Sequence, residues 1–393
     1  RVFNSADNKP VLDATVFILP VERDTLFGKK KASLFTTTDS SGNFRLRNLK
    51  ERAYKLYALK EEGGDKIYNS TKEQIAFLKD SIYLNADTSG IVLNLFNEIP
   101  ESYRVLERNI GKDGLITIIH NKKIENPSVK FLEPTGAESI VSFSPNADTT
   151  SIWMKNLEFD SVKVVHLTGT QAIDTVTIKR NKRDEYQHNI LFNSNLVNGK
   201  IKPGSDLLLT FNTPLQGIDK SKLLLSQDSL PIRDYTIAGT EPTNRIFKIS
   251  YPWRTQKTYT IQFQENALTD IYGTKSKGLK GNFEMDEIEN YGNLDLNFVR
   301  SDSSKYYIIQ LLTENQKIYK ESTLEFDAII PYKLIENGKY KVKVIEDSNK
   351  NGKFDTGNVK RKLQAEKAWF YDKDLIIRPN WDQEEKIIIP KDF

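Results

Sequence analysis

The chain has 393 residues, and its 57 basic and 53 acidic side chains leave a net charge of +4. This length allows several domains of about 100–150 residues each, and a hydrophobic content of 38% suits small β-sandwiches better than one large globule. Charges of both signs are spread along the chain, so nucleic-acid binding is not expected. The absence of cysteine excludes disulfides, zinc–thiolate sites and thiol nucleophiles.

The first predicted module covers residues 1–97. A β-branched run at Val11–Leu19 predicts a strand, and the turn signal Ser41–Asn43 leads into a second predicted strand at Phe44–Arg47. Gly42 in this turn is expected to adopt a positive φ. The side chains expected to point inward are Phe44, Leu49 and Tyr54. The order of these residues resembles the carboxypeptidase-regulatory, transthyretin-like β-sandwich, whose pattern implies a fold and no chemistry.

Residues 98–184 predict an Ig-like β-sandwich, because short apolar runs alternate with clusters of Gly, Pro, Asn and Asp. The predicted strands are Leu115–His120, Val129–Leu132, Thr150–Met154, Val162–Leu167 and Ala172–Ile178. The charged run Lys179–Glu185 is the predicted linker to the next module.

Residues 185–286 predict a third sandwich. The run Leu207–Leu215, in which Phe211 precedes Pro214 by three residues, resembles the opening strand of bacterial Ig-like domains of the S-layer type. Ala267–Gly273 fits the loop that often precedes the last strand in that family. The remaining predicted strands are Ile218–Leu225, Ile246–Ile249, Tyr259–Phe263 and Gly281–Phe283.

Residues 287–393 form the last predicted module, a C-terminal β-sandwich with a loop rich in Asp and Asn. Its predicted strands are Leu294–Phe298, Tyr306–Leu311, Thr323–Asp327, Tyr340–Ile345 and Ile387–Ile389. Part of this module repeats a pattern of the first one. When Tyr54 is aligned with Tyr340, Glu61 falls on Asp347, Asp65 on Asn351 and Tyr68 on Phe354. The sequence therefore predicts related units at the two ends of the chain.

Helical periodicity is almost absent, and only Lys72–Lys79 is expected to form a helical turn or two. We therefore expect an all-β fold of tandem antiparallel β-sandwiches, Ig-like and transthyretin-like, in an elongated array.

The order of the modules, ending in Arg378-Pro379-Asn380-Trp381-Asp382, is similar to that of bacterial outer-membrane lipoproteins with Ig-like domains. This resemblance implies an extracytoplasmic protein on the periplasmic or the cell-surface face of the outer membrane, with protein partners there. Because Arg1–Phe3 lies within a predicted strand, we expect a targeting segment and an earlier domain ahead of residue 1. The resemblance implies that a lipid anchor and a further Ig-like domain lie there. No apolar run approaches the roughly 18 residues of a membrane span.

The loop after Tyr340–Ile345 offers the clearest candidate site. Oxygen ligands at loop positions 1, 3, 5 and 9, a carbonyl at position 7 and a glycine at position 6 are typical of a calcium loop. The residues that would supply these ligands are Asp347, Asn349, Asn351, Asp355 and, through its carbonyl, Lys353. Position 12 is Asn358 instead of glutamate, so Ca²⁺ would bind weakly unless Glu346 or Glu366 joined the site. The alternative is an Asx-rich turn without metal, and the related loop of the first module is expected to be metal-free.

Other candidate residues are few. Each of the four tryptophans is more often a core residue than a binding platform, and Trp381 and Trp253 are the best candidates for a glycan or partner platform. His120 and His166 lie in predicted strands and are expected to be ordinary strand residues. With three histidines and no cysteine, there is little material for a Ser-His-Asp or zinc-hydrolase site, so an enzyme is not expected.

The sequence leaves two main functions open, and an enzyme of unrecognised type is the least favoured third. The first is a non-enzymatic envelope scaffold or interaction protein, as a component or accessory of an outer-membrane protein complex. The second is a carbohydrate-binding accessory lipoprotein that uses exposed tryptophan platforms. A partner could bind either by adding a strand to an exposed sheet edge or by stacking on such a platform.

Overall fold

The structure is a computed structural model that describes residues 1–181 and 183–393, so Lys182 in the predicted linker lies outside the described residues. About 48% of the chain is β-strand and 3% is helical, which confirms the all-β fold. In the part of the chain that the structure describes, the helical residues lie in three short 3-10 segments, Val21–Leu26, Lys220–Lys222 and Ile288–Asn290. Among the described residues, no helix is long and apolar enough to cross a membrane.

Residues 1–99 form a seven-stranded sheet. Its strands are β1 (Val2–Asn4), β2 (Thr15–Pro20), β3 (Leu34–Thr37), β4 (Arg52–Lys60), β5 (Gln74–Phe77), β6 (Ile82–Leu84) and β7 (Leu93–Asn97). β4 pairs antiparallel with β2, β5 and β6, whereas β1 runs parallel to β7.

Two predictions in this region are wrong. Gln74–Phe77 is a strand instead of a helical turn, because its backbone pairs with β4 and Ile75, Ala76 and Phe77 are buried there. The predicted strand Phe44–Arg47 is a loop, since Asp39 bonds to the backbone of Asn43 and fixes a local turn.

The predicted inward-pointing residues are confirmed. Phe44, Leu49 and Tyr54 all pack in the same core cluster. Gly42 has a φ of +70°, and a Cβ there would collide with the carbonyl oxygen of Val2. The turn therefore requires glycine for both conformation and space.

Residues 100–184 contain a three-stranded and a four-stranded sheet. Their strands are β8 (Val105–Ile110), β9 (Ile116–His120), β10 (Pro127–Glu133), β11 (Ser139–Phe143), β12 (Thr149–Met154), β13 (Ser161–Thr168) and β14 (Gln171–Lys179). The sheet orders are β10-β13-β14 and β11-β12-β9-β8, and both sheets contribute to one hydrophobic cluster.

Residues 185–288 contain sheets of four, five and two strands around a second cluster. Their strands are β15 (Phe192–Ser194), β16 (Lys200–Ile201), β17 (Leu207–Phe211), β18 (Leu215–Ile218), β19 (Leu223–Gln227), β20 (Leu230–Ile232), β21 (Thr236–Gly239), β22 (Ile246–Ser250), β23 (Thr258–Phe263), β24 (Leu268–Asp270) and β25 (Leu279–Met285). β24 lies within the predicted loop Ala267–Gly273 and pairs with β18.

Residues 289–393 contain a three-stranded and a five-stranded sheet. Their strands are β26 (Tyr291–Arg300), β27 (Tyr307–Thr313), β28 (Ile318–Leu324), β29 (Ala328–Glu336), β30 (Gly338–Glu346), β31 (Ala368–Phe370), β32 (Leu375–Ile377) and β33 (Asp382–Ile389). The sheet orders are β29-β26-β33 and β28-β27-β30-β31, with β32 also paired to β30.

The predicted relation between the two ends of the chain is confirmed in the strand register. Tyr57 and Ala58 of β4 pair with Phe77 and Ala76 of β5. Lys343 and Val344 of β30 pair with Phe370 and Trp369 of β31, which are the aligned positions. Both central strands also carry the same tyrosine corner. The Tyr54 hydroxyl donates to the Lys50 carbonyl, and the Tyr340 hydroxyl donates to the Glu336 carbonyl, each over 3.0 Å.

The chain divides into two compact units, one made of residues 1–99 and 289–393 and the other of residues 100–288. The first and last predicted modules thus belong to one unit. The boundaries 1–97, 98–184, 185–286 and 287–393 remain a prediction.

Candidate functional site

The candidate site is the segment Asp347–Lys367, which connects β30 to β31 and which we call the closing loop. It begins directly after β30, so its first residue is fixed by the sheet: the Asp347 N–H donates to the Tyr306 carbonyl over 2.9 Å. Gly352, with φ +70°, allows the sharp bend that such a loop needs.

Asp347 organises the first half of the closing loop. Its side chain is buried, and its carboxylate accepts the N–H of Asn351 over 3.1 Å and that of Gly352 over 2.8 Å. Asn349 and Asn351 each accept a backbone N–H two residues further on. These bonds hold the predicted ligand residues in one turn, as both the calcium and the Asx-turn interpretations require.

Two carboxylates complete the closing loop. Asp355 accepts the side-chain amides of Asn349 and Asn351 over 2.5 and 2.7 Å. Glu366, which is 8% exposed, accepts the N–H groups of Ser348 and Asp355 over 2.8 and 3.0 Å. Burial raises the pKa of Glu366 even though these bonds favour its charged form. Glu366 therefore folds into the loop. This meets the condition set by the sequence, that a further carboxylate must join the predicted ligands for Ca²⁺ to bind other than weakly.

Asn358, at loop position 12, takes no part in this arrangement. Its side-chain oxygen accepts the N–H of Arg361 over 2.8 Å, and its backbone bridges to Leu363. Glu366, eight residues further along the chain, brings a carboxylate into the loop instead.

The aligned loop of the first module has the same framework. Glu61 accepts the N–H of Lys66, as Asp347 accepts that of Gly352, and Lys66 also has a positive φ. Glu73 accepts the N–H of Asn69, as Glu366 accepts that of Asp355. The carboxylate oxygens of Glu61, Asp65 and Glu73 lie within 4.8 Å of one another. Glu73 lies beyond the aligned residues, so no local sequence pattern marks it. The expectation that this loop is metal-free remains a prediction.

The closing loop also joins the last module to the first one within their shared unit. The Thr356 hydroxyl donates to the Asn97 carbonyl over 2.6 Å, and the Val359 N–H donates to Glu98 over 2.7 Å. The Gln364 amide donates to the Phe77 carbonyl over 2.8 Å. Two apolar residues of the loop, Val359 and Ala365, pack against a buried hydrophobic cluster on one face of the first sheet.

The two predicted platforms differ in their surroundings. Trp381 is 53% exposed, and the Arg378 guanidinium lies 4.9 Å from its ring centroid. Trp253 instead packs against the core, with Tyr259 and Phe283 edge-on at centroid distances of 5.0 and 5.1 Å. Its surroundings correspond to a core residue, so Trp381 is the better placed of the two candidates.

The histidines expected to be ordinary strand residues form a buried pair. His120 and His166 are 2% and 0% exposed, and their ring centroids are 4.5 Å apart. His166 Nε2 lies 3.1 Å from the Thr150 hydroxyl. Burial lowers the pKa of His120, and it lowers that of His166 to about 4.

Comparisons with known proteins add little. No protein-family model and no curated protein matches the chain. SGBP-B of the Bacteroides ovatus mixed-linkage glucan utilization locus, solved with a mixed-linkage heptasaccharide, is 9% identical over 96% of this chain and 93% of its own, with a TM-score of 0.24. The Bacillus cereus major pilin subunit BcpA is 14% identical over 99% and 97%, with a TM-score of 0.17. Domains 4–9 of the surface-layer protein SbsC are 10% identical over 93% and 58%, with a TM-score of 0.27. At these scores the similarities carry no functional argument.

Proposed function

We propose that this chain is a non-enzymatic scaffold or interaction protein of a bacterial cell envelope, working as a component or accessory of an outer-membrane protein complex. A lipid anchor ahead of residue 1 would hold it at the membrane. The observation that supports this role is the closing loop, whose bonds to Asn97, Glu98 and Phe77 tie the last module to the first. A unit closed in this way holds its surface residues at fixed distances, as a scaffold must.

Affinity purification of the anchored chain from its native outer membrane, after mild crosslinking, tests this role. We expect a defined complex of constant stoichiometry that survives a second, size-based separation. An anchored chain that runs alone in both steps would contradict the proposal, as would hydrolysis of a glycan or peptide that a single carboxylate substitution abolishes.

A glycan-binding role is the second candidate, and the exposure of Trp381 favours it. A flat indole ring beside the Arg378 guanidinium can stack on a sugar ring. A glycan-array screen of the whole chain tests it, with Trp381→Ala as the variant and Trp253→Phe as the control. Glycan binding that survives in Trp381→Ala would exclude this platform.

We also propose that the closing loop binds Ca²⁺ and that the ion stiffens the unit. Asp347, Asp355 and Glu366 offer three carboxylates, and Asn349, Asn351 and the Lys353 carbonyl add the neutral oxygens that Ca²⁺ accepts. Because the ion would bind only the folded loop, millimolar Ca²⁺ should raise the melting temperature of the chain.

The calcium experiment compares melting in Ca²⁺, in Mg²⁺ and in chelator. The shift should disappear in Asp355→Asn and persist in Asp302→Asn, a partly buried carboxylate outside the loop. Equal melting of the unmodified chain in Ca²⁺ and in chelator would leave the Asx-turn interpretation.

A further inference from the structure

A second feature of the unit formed by residues 1–99 and 289–393 is a cavity of about 440 Å³. One side comes from the 3-10 segment after Pro20 and from β4 and β5, and the other comes from Val359–Lys362 of the closing loop. Its volume is within the range of about 300–1,000 Å³ that is usual for small-molecule sites. We call it the lysine-rimmed cavity.

The wall of the lysine-rimmed cavity is aromatic. Phe27 lies between two tyrosines, with centroid distances of 4.4 Å to Tyr57 and 5.9 Å to Tyr68, and Phe77 continues this wall. Gly28, with φ +70°, brings the turn so close that a Cβ there would lie 3.1 Å from the Tyr68 carbonyl oxygen. The wall is therefore built by the backbone as well as by the side chains. Tyr57 and Phe77 are buried behind it, so the partly exposed rings of Phe27 and Tyr68 are the ones that can stack on the C–H face of a sugar.

The rim carries an excess of positive charge. Five lysines line the cavity, namely Lys29, Lys55, Lys79, Lys360 and Lys362. Among the described residues that line the cavity, only Asp24 and Glu98 are acidic. Lys29, Lys79 and Lys362 are exposed, and none of the three forms an ion pair with another described residue. An anion entering the cavity would thus meet lysines whose charge is not already compensated.

The two carboxylates are held by the tyrosines of the wall. The Tyr57 hydroxyl donates to Asp24 over 2.7 Å, and the Tyr68 hydroxyl donates to Glu98 over 2.5 Å. Glu98 also accepts the Val359 N–H, so both of its oxygens are used. Asp24 accepts the Tyr57 hydroxyl through one oxygen, Oδ1. The second carboxylate oxygen of Asp24 can accept a hydrogen bond from a hydroxyl group of a ligand.

We propose that the lysine-rimmed cavity binds an anionic saccharide, that is, a sugar unit bearing a phosphate or a carboxylate. The lysines hold the anionic group, the aromatic wall covers the apolar face of the ring, and Asp24 accepts a sugar hydroxyl. A simple anion would need only the lysines, and a neutral sugar would need only the wall and the carboxylate. The three features together select a ligand that has all three chemical groups. This site is separate from the Trp381 platform and does not depend on it.

Isothermal titration of the whole chain tests this proposal with four probes: digalacturonate, glucose 6-phosphate, maltose and inorganic phosphate. We expect at least one of the two anionic sugars to bind at least about tenfold more tightly than maltose and inorganic phosphate, a ratio equal to about 1.4 kcal/mol. Tighter binding of digalacturonate identifies a carboxylated sugar as the ligand class, and tighter binding of glucose 6-phosphate identifies a phosphorylated one.

The variant pair Lys29→Glu with Lys79→Glu should weaken this binding at least tenfold. The control pair Lys130→Glu with Lys277→Glu makes the same change in net charge at exposed sites outside the cavity and should leave the affinity within twofold. Melting curves should show that both double variants are folded, because all four lysines are exposed. No heat with either anionic sugar, equal binding of inorganic phosphate, or equal losses in both double variants would each overturn the proposal.

Discussion

The buried pair His120 and His166 gives the unit of residues 100–288 a specific response to acid. The groups that face the pair are Thr150, which contacts His166, and Asp174, whose charge favours protonation of His120. Burial outweighs that charge, so both imidazoles are held neutral at neutral pH.

Protonation of this pair should weaken folding at low pH. The pKa of His166 is 6.5 in the unfolded reference and about 4 in the folded chain, so the unfolded chain binds more protons between these values. The free energy of unfolding should therefore fall as the pH drops from about 6.5 to about 4, by up to about 3 kcal/mol for this residue. Urea unfolding at about pH 7.5 and about pH 4.5 measures this loss.

The control for the acid response is the double variant His120→Phe with His166→Phe, which keeps two packed rings and removes the titration. Its unfolding free energy should fall less over the same pH interval than that of the unmodified chain. Equal losses in the two proteins would assign the acid response to the carboxylates.

Lys343 is a second buried residue whose contribution to the free energy of unfolding can be measured. It is 8% exposed, its ammonium donates to the Ala6 carbonyl over 2.8 Å, and it lies 5.5 Å from the ring centroids of Phe354 and Phe370. Burial lowers the pKa of this ammonium. This one side chain therefore links the central strand of the last module to a turn of the first module.

Lys343→Ala should lower the free energy of unfolding by about 1–3 kcal/mol, because it removes a buried charge-assisted bond and the packing of the alkyl chain. Lys341→Ala is the matched control, since Lys341 lies two residues earlier on β30 and forms a 3.6 Å ion pair at the surface. Its loss should stay below about 1 kcal/mol. Similar losses in chemical denaturation would show that the Ala6 contact contributes nothing.

At the level of elements, the closing loop depends on one close approach. Gly357 is buried against Phe96, and a Cβ there would lie 2.6 and 2.7 Å from Cε2 and Cε1 of that ring. Phe96 is 2% exposed, so the ring has little room to move away. The contact between the loop and the first module requires a glycine at this position.

Gly357→Ala should destabilise the unit by about 1–3 kcal/mol through overpacking. Gly63→Ala is the control, because it lies in the aligned loop, has no positive φ and would place its Cβ more than 4 Å from the described atoms. Differential scanning calorimetry of the two variants gives the comparison. A Gly357→Ala variant that melts with the control would mean that the loop moves away from Phe96 without cost.

The sequence predicted the strands best where burial follows a local pattern. The aligned strands and loops at the two ends were predicted because tyrosine, acidic and apolar residues recur at the same spacing. β8 and β29 were missed, since β8 carries four exposed residues in a row and β29 contains Pro331, so neither has the usual strand composition. Tertiary pairing decides both of these strands.

The candidate site was predicted only in part for a similar reason. The loop residues from Asp347 to Asp355 follow a local spacing, so they could be identified. Glu366 and Glu73 reach their loops from further along the chain, and the lysine-rimmed cavity combines residues that are hundreds of positions apart. No local pattern marks such residues.

At the level of the whole molecule, the first unit is discontinuous in sequence. Its two segments, residues 1–99 and 289–393, enclose the segment that forms the other unit. One face of the sheet in the first segment carries Phe17, Phe77 and Phe96. Val359 and Ala365 of the second segment cover part of this face. The first segment of this unit is therefore incomplete without the second.

This organisation predicts different behaviour of three fragments. Residues 100–288 should fold when expressed alone, with a cooperative melting transition. Residues 1–99 alone should aggregate or bind a hydrophobic dye, and mixing with residues 289–393 should restore a cooperative transition. Circular dichroism and gel filtration test these outcomes. Full cooperativity of residues 1–99 alone, unchanged on mixing, would contradict the dependence of the first segment on the second.

The discontinuity also affects the order of events during synthesis. Phe17 emerges from the ribosome early, but Val359 follows roughly 340 residues later, which at about 5–20 residues per second is a delay of tens of seconds. During that delay, and during any export of the chain, an apolar surface stays without its cover. A chaperone that protects the nascent chain is therefore most needed by the part that is made first.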